Sequence, residues 1–283
     1  MAVGGDADHV PQHGRSRISR GCDRDLLRRE LAVDGRWPRP LVVLAPGTQG
    51  QGDQCAPSKS FTDRVHYGPP LDFAIEYEIA QTYALLERGM DVVVTDYEGL
   101  GTAGVHSYTD RRAQAHAVLD AARAVKSLPD IRIGDDSPIG LSGYSQGGGA
   151  VAAATEMQAS YAPELNVRGT FAGGPPADLR SVAAAIDGGL ATGLLGYAVN
   201  SIYAGYPETR ADIDGALSPA GRQALDDIAN QCVPETIARY GLHRTSEWTR
   251  DGRSVAELID ALPRCAPWST SSASGGRRPA VRC

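Results

Sequence analysis

The sequence predicts an α/β protein: a parallel sheet with helices on both faces, followed by a helical segment. Three observations carry this. Short apolar runs each end in a glycine-rich loop, helical periods alternate with them up to about Asp178, and beyond Asp178 only helical patterns remain. Alternation of this kind marks strand–helix–strand units, whose parallel strands are covered on both faces and read as unbroken apolar runs.

The elements follow in order. Leu41 to Ala45, "LVVLA", is the first buried strand, ended by Pro46 and Gly47. "EYEIAQTYALLERG" places Ile79, Tyr83 and Leu86 at helical spacing, with Gly89 as its C-terminal cap. Val92 to Thr95 is the second strand. "DRRAQAHAVLDAARAVKSL" is a helix with Ala115, Leu119, Ala122 and Val125 on one stripe. "SPIGLSGYS" and "NVRGTFAGG" are the third and fourth strands, joined by the helix "GGGAVAAATEMQASYA". "DLRSVAAAIDGGLATGLLGYAVNSIYAGYPE" is apolar, glycine-spaced and helical. "SPAGRQALDDIANQC" opens with a serine N-cap and proline at the first helical position, and "SVAELIDALP" is a short amphipathic helix. The resulting organisation is a poorly ordered tail over 1–38 (at best one short helix near "RDLLRRELA"), a core over 39–178, a helical cap over 179–262 and a disordered tail over 263–283.

Bulk properties narrow the function. The chain has 283 residues, enough for a large core, and a net charge of −6, which argues against a nucleic-acid partner. No run of about 18 apolar residues is present, so no membrane-spanning helix is expected. The N-terminus "MAVGGDADHVPQHGRSRISRG" lacks the hydrophobic region of a secretory signal. Five cysteines, Cys22, Cys55, Cys232, Cys265 and Cys283, share no short zinc or redox spacing and allow at most two disulfides. No metal or cofactor is expected.

The densest signal is "IGLSGYSQGGGA", with five glycines among residues 139–149. Gly143-Tyr144-Ser145-Gln146-Gly147 matches G-x-S-x-G, with a strand before it and a helix after it. A serine on such a turn presents its hydroxyl above the sheet as a nucleophile. A Cβ at Gly143 or Gly147 would clash across the turn, and Gly148 and Gly149 let the helix lie close to the strand. The helix beginning at Gln146 aims unpaired N–H groups and its positive dipole end at the reacting carbon. The oxyanion should meet the Gln146 N–H and a second donor from the loop "APGTQGQGD", at Gln49 or its neighbour Thr48. In "DYEGLGTAGVHSY", Asp96, Glu98 and His106 are nearby; a metal or acid–base site is conceivable there, and shaping the loop is the favoured role.

Taken in order, "APGTQGQGDQCAPS", "DVVVTDYEGLG" and "LSGYSQGGGA" resemble the secretory lipase family of fungi and actinobacteria, of the lipase-A type, over roughly residues 39–262. The resemblance implies an α/β-hydrolase fold, a helical cap, hydrolysis of acylglycerols or other carboxylic esters, and an extracellular setting. By position it makes Ser145 the nucleophile and Gln49 and Gln146 the oxyanion donors. It also pairs Cys55, in "QCAPS", with Cys232, in "NQCVPE", as a bridge between core and cap.

The triad of such a fold runs serine, acid, histidine. After Ser145 only His243 remains, and the resemblance places it in the cap, which makes it a poor candidate for the base; Asp251 and Asp260 are weak candidates for the acid for the same reason, while His66, His106 and His116 precede the nucleophile. The sheet is therefore expected to be incomplete on its C-terminal side, leaving an open edge. Both ends have the arginine-, serine-, proline- and cysteine-rich look of a reading frame out of register, which would make Cys22, Cys265 and Cys283 accidental. The leading function is a serine ester hydrolase impaired by loss of acid and base, with an ester or lipid substrate and contact with a lipid–water interface through the cap. An acyltransferase, in which an alcohol replaces water, and a non-catalytic fragment binding lipid or a partner are the alternatives. Oligomeric state is left open.

Overall fold

The computed structural model describes residues 38–61, 65–66, 72–73, 76–129, 131 and 133–261. The two tails read from the sequence lie, apart from Pro38, outside the described residues, as does the short helix near "RDLLRRELA". The contacts divide the chain into two compact units, one reaching to Pro175 and including Asn230–Glu235, the other formed by Pro176–Ala229 and the chain from Thr236 onward.

The first unit is built on strands β1 (Leu41–Ala45), β4 (Asp91–Val94), β5 (Ile139–Tyr144) and β6 (Val167–Gly173), all parallel, in the order β4-β1-β5-β6. The two-residue strands β2 (Val65–His66) and β3 (Asp72–Phe73) form a separate antiparallel pair. Its helices are α1 (Pro57–Ser60), α2 (Ile79–Glu87), α3 (Arg111–Lys126) and α4 (Gln146–Tyr161).

Strand side chains alternate between faces, and β1 shows both faces covered. Leu41, Val43 and Ala45 join Val93, Ile139 and Leu141 in a core with Ala115, Val118, Leu119 and Ala122 of α3 and Ala150, Val151 and Ala154 of α4. Val42 and Leu44 face the other way, with Val94, Phe61, Leu85 and Met90. The apolar face of α3 is wider than the expected stripe: Gln114, Ala117, Val118 and Ala121 are buried beside Ala115, Leu119, Ala122 and Val125. Asp110 caps it, its carboxylate accepting from the N–H groups of Arg112 and Ala113.

One departure stands out, in α2, and one expectation is met, at the edge of β6. No residue of α2 is fully buried, and Leu85 rather than the expected Leu86 meets the strand cluster of Val42, Leu44 and Val94. Among the described residues the end strand β6 pairs only with β5, and Arg168, Gly169, Thr170 and Phe171 are exposed, so the described sheet is open at that edge as expected.

The second unit carries α5 (Leu179–Ile186), α6 (Leu194–Gly205), α7 (Arg210–Ala216), α8 (Pro219–Ile228), most of α9 (Val233–Tyr240) and α10 (Val255–Ala261). Among its described residues no strand is present, only an isolated bridge between Leu217 and Thr249. Ser218 caps α8 by accepting from Gly221 N–H, with Pro219 at the first helical position, as the sequence indicates. The apolar run ending in α6 is ordinary packing for most of its residues. Leu195, Tyr197, Ala198 and Val199 are buried, Tyr197 shares a 2.6 Å hydroxyl hydrogen bond with Thr236, and a Cβ at Gly196 would meet Ile228 at 2.6 Å.

Candidate active site

Ser145 lies between the last residue of β5 and the first of α4, with φ 55° and ψ −118°. This is a left-handed conformation that a residue with a Cβ adopts only under constraint, at a cost of about 1–3 kcal/mol. The constraint is visible on both sides: Ser145 N–H donates to Gly173 O at 2.9 Å, and Gly149 N–H donates to Ser145 O at 3.0 Å. A Cβ on Gly143 would strike the Gly147 carbonyl, one on Gly147 the Ala45 carbonyl oxygen, and one on Gly148 the Gly173 oxygen. The glycines thus serve the close approach of three backbone segments, β1, β5 and the end of β6, around one serine. Ser145 is exposed, whereas Gln146 is buried. As the first residue of α4, Gln146 has no intrahelical acceptor for its N–H.

The loop after β1 begins against this turn, since Gly147 touches Ala45 and Pro46 and Ala45 pairs with Gly143. Its polar backbone groups are consumed one by one. Tyr97 donates its hydroxyl to Pro46 O at 2.7 Å, Gly47 N–H donates to Glu78 Oε1 at 2.7 Å, Tyr77 donates its hydroxyl to Thr48 O at 2.6 Å, and Val233 N–H donates to Gln49 O at 2.9 Å. The N–H groups of Thr48 and Gln49 donate to no described residue. The loop therefore keeps two amide donors in a buried setting, the same two the sequence leaves open.

Behind the loop sits a pair of buried carboxyl groups that sequence reasoning missed. Glu78 holds Gly47 through Oε1 and Gln49 Nε2 through Oε2 at 3.3 Å. Glu76 Oε1 accepts from Glu78 N–H at 3.2 Å, and Ser60 donates to Glu76 Oε2 at 3.4 Å. Burial, reinforced by the hydrogen bond and charge of Glu78, pushes Glu76 up to about 9, so it carries a proton at neutral pH. The only signal in the sequence is "EYE" ahead of an amphipathic helix, which reads as a solvated helix start.

The Asp96–His106 loop has the shaping role favoured from sequence. Asp96 is buried and accepts from Ser58 N–H at 2.8 Å, while Glu98 is exposed, so the two acids do not share a site. Among the described residues no group of three or more His, Cys, Asp or Glu is placed to hold a metal. His106 is fully buried, with Nδ1 3.2 Å from Glu98 O and Nε2 3.0 Å from Gln146 Nε2. The carbonyl requires a proton on Nδ1, and the amide then donates to Nε2. Burial lowers the imidazole to about 4, so it is neutral and ties the Gln146 side chain in place.

His116, His243, Asp251 and Asp260 are engaged elsewhere, and the side chain of His66 lies outside what the structure describes. His116 stacks on Tyr161 with ring centroids 3.8 Å apart. In the helical unit His243 pairs with Glu247 at 3.1 Å, Asp251 with Arg253 at 2.7 Å and Asp260 with Arg180 at 2.8 Å. Among the described residues none hydrogen-bonds the Ser145 hydroxyl.

Cys55 and Cys232 form a disulfide, both fully buried. Cys232 lies on Asn230–Glu235, whose contacts belong with the sheet unit rather than with the helices on either side of it. That segment bridges Gly50 and Cys232 beside Gln49, and a Cβ on Gly50 would lie 2.6 Å from Cys232 Cα and 2.7 Å from Cys55 Sγ. Both cysteines lie in the sheet unit, so within it the disulfide braces the far end of the candidate oxyanion loop.

The family model described as "Secretory lipase" matches residues 68–263. "Secreted triacylglycerol lipase LIP1" of Malassezia furfur is 31% identical over 202 residues, covering 71% of this chain and 40% of the relative. "Lipase 2" of Candida albicans is 32% identical over 212 residues, covering 73% and 44%. The chain thus spans less than half the length of these relatives. Among solved structures, Candida antarctica lipase A in its closed state superposes with a TM-score of 0.66 at 25% identity, over 80% of this chain and 51% of that one. The esterase LipA of Xanthomonas oryzae, at 18% identity and a TM-score of 0.59 over 83% and 61%, shares the fold.

Proposed function

The chain belongs to the secretory lipase family, and from that premise we propose that it is a serine carboxylic-ester hydrolase acting on acylglycerols, with Ser145 as nucleophile. The observation that carries this is the strained, exposed Ser145 at a strand–helix turn, with amide donors nearby in the chain's β1 loop that no described residue uses. Ser145 Oγ adds to the ester carbonyl, whose electrons move to oxygen. The N–H of Gln146 and that of Gln49, or of Thr48 beside it, donate to that oxyanion, each worth about 3 kcal/mol in the transition state. Collapse expels the alcohol and leaves an acyl-serine, which water then cleaves. The serine proton has to pass to a base, a step to which no described residue is assigned.

The names of the relatives support the triacylglycerol substrate class. An extracellular setting is supported by the same names and by the Cys55–Cys232 disulfide, a bond that persists in oxidising compartments. We assign acyl-chain binding and contact with a lipid–water interface to the helical segment 179–262. There Leu190 and Leu242 are 63% and 70% exposed, and Leu242 N–H donates to the carbonyl of Gly189, the residue before Leu190, at 2.9 Å. A second reading, lipid binding without turnover, is favoured by one fact: no described side chain hydrogen-bonds the Ser145 hydroxyl.

Labelling with a fluorophosphonate decides between them. The hydrolase reading expects labelling that Ser145→Ala abolishes, together with release of fatty acid from tributyrin. A folded protein that neither labels nor hydrolyses leaves the binding reading.

A further inference from the structure

We propose that Glu78 is a positioning residue for this reaction: its buried carboxylate clamps Gly47 and Gln49 so that the loop's free amides stay aimed at the oxyanion. The inference rests on the serine-hydrolase reading above. One oxygen of Glu78 takes Gly47 N–H at 2.7 Å and the other takes Gln49 Nε2 at 3.3 Å, so the clamp spans the loop on either side of Thr48. Tyr77, the preceding residue, holds Thr48 O at 2.6 Å. Three consecutive loop residues are thereby fixed by two consecutive residues at the start of α2.

Glu78 is itself anchored. Its N–H is bound by Glu76 Oε1, and its carbonyl accepts from Thr82 N–H at 2.8 Å and Thr82 Oγ1 at 3.0 Å. The whole arrangement is dry, with Glu76 6%, Glu78 8%, Thr48 8% and Gln49 4% exposed. A buried carboxylate requires donors on both oxygens, and here the loop supplies them. Among the described residues, the other polar contacts of these three constrain the loop from outside, through Tyr77, Tyr108 and Val233. Among the same residues only Glu78 links the loop's first glycine to the side chain of the donor residue itself.

The test is the rate at which Ser145 is phosphonylated by a fluorophosphonate, because the adduct places its oxygen in the oxyanion site. Glu78→Ala should slow labelling about a hundredfold per folded molecule, the scale of a lost or displaced donor. Glu78→Gln should remain within about tenfold of the parent, since Gln49 can turn its amide to present oxygen to the new NH2 group. Gln49→Leu cuts one limb of the clamp without touching Glu78 and should slow labelling in the same direction; it decides the matter if Glu78→Ala does not fold. Circular dichroism reports the folded fraction. Folded Glu78→Ala, or Gln49→Leu in its place, labelling at the parental rate overturns the clamp and leaves the nucleophile reading standing. Parent protein that fails to label, or Ser145→Ala that labels equally, overturns both.

Discussion

Replacing Gly147 by alanine tests the nucleophile turn where it is tightest. The new Cβ would lie 2.8 Å from the Ala45 carbonyl carbon and 3.0 Å from Pro46 O, with the Ala45 oxygen nearer still. Carbon pairs rest at about 3.5–4.0 Å and the Ala45 oxygen sets the tighter limit, so the end of β1 has to retreat by about 1 Å or more. Backbone cannot swing aside as a side chain can. Overpacking of this kind costs about 1–3 kcal/mol. The retreat also moves the start of the oxyanion loop relative to Ser145, and a misplacement near 1 Å is worth about a hundredfold in rate. Urea denaturation reads the first quantity and fluorophosphonate labelling the second. Gly215→Ala is the control: it sits in α7 with nothing within 4 Å of the new Cβ, and it should gain about 0.5–1 kcal/mol from helix propensity. A Gly147→Ala protein with the parental midpoint and the parental labelling rate would refute the close-approach argument.

Three further outcomes are expected. Cys55→Ala with Cys232→Ala opens a loop with a sequence separation of 177, which the chain-entropy model rates at about 5 kcal/mol; a urea midpoint unchanged from the oxidised parent would contradict it. Glu76 keeps its proton to about pH 9 when folded, against 4.5 ordinarily, chiefly because it is buried. Within that window the folded state binds a proton that the unfolded state does not, so this group's contribution falls as pH rises, by up to about 1.4 kcal/mol per pH unit. Glu76→Gln should remove that slope, and identical pH–stability curves for the two proteins would count against the assignment. Leu190→Ser with Leu242→Ser should weaken binding to triacylglycerol emulsions while leaving fluorophosphonate labelling of Ser145 unchanged; undiminished binding would place interfacial contact elsewhere.

The open edge of β6 matters for handling the protein. Thr170 and Phe171 are exposed on an end strand, with Phe171 at 63%, and unpaired strand edges with exposed aromatics are templates for association. Light scattering during refolding would show it, and Phe171→Lys is the natural remedy.

What the chain alone determined is what local pattern encodes. The apolar runs at Leu41–Ala45 and Val92–Thr95 (the latter one residue late against β4, Asp91–Val94), the helix after Asp110, the helix capped by Ser218 and the glycines around Ser145 are all contiguous signals. Strand burial, capping and a tight turn each act within a few residues, so the sequence displays them directly. The disulfide was not of this kind: five cysteines allow several pairings, and the choice of Cys55 with Cys232 came from family resemblance.

Tertiary structure alone decided which polar groups meet. Glu78 reaches the loop at Gly47 and Gln49, separations of 31 and 29, and His106 reaches Gln146 across 40. No periodicity announces such partners, because they are set by how strands order in the sheet, β4 beside β1 beside β5, and not by neighbours in the chain. The same holds for Asp96 and Glu98, two residues apart, of which one is buried and bonded and the other exposed. Burial and pairing depend on what the fold lays over a residue, and that information is shared among segments distant in sequence.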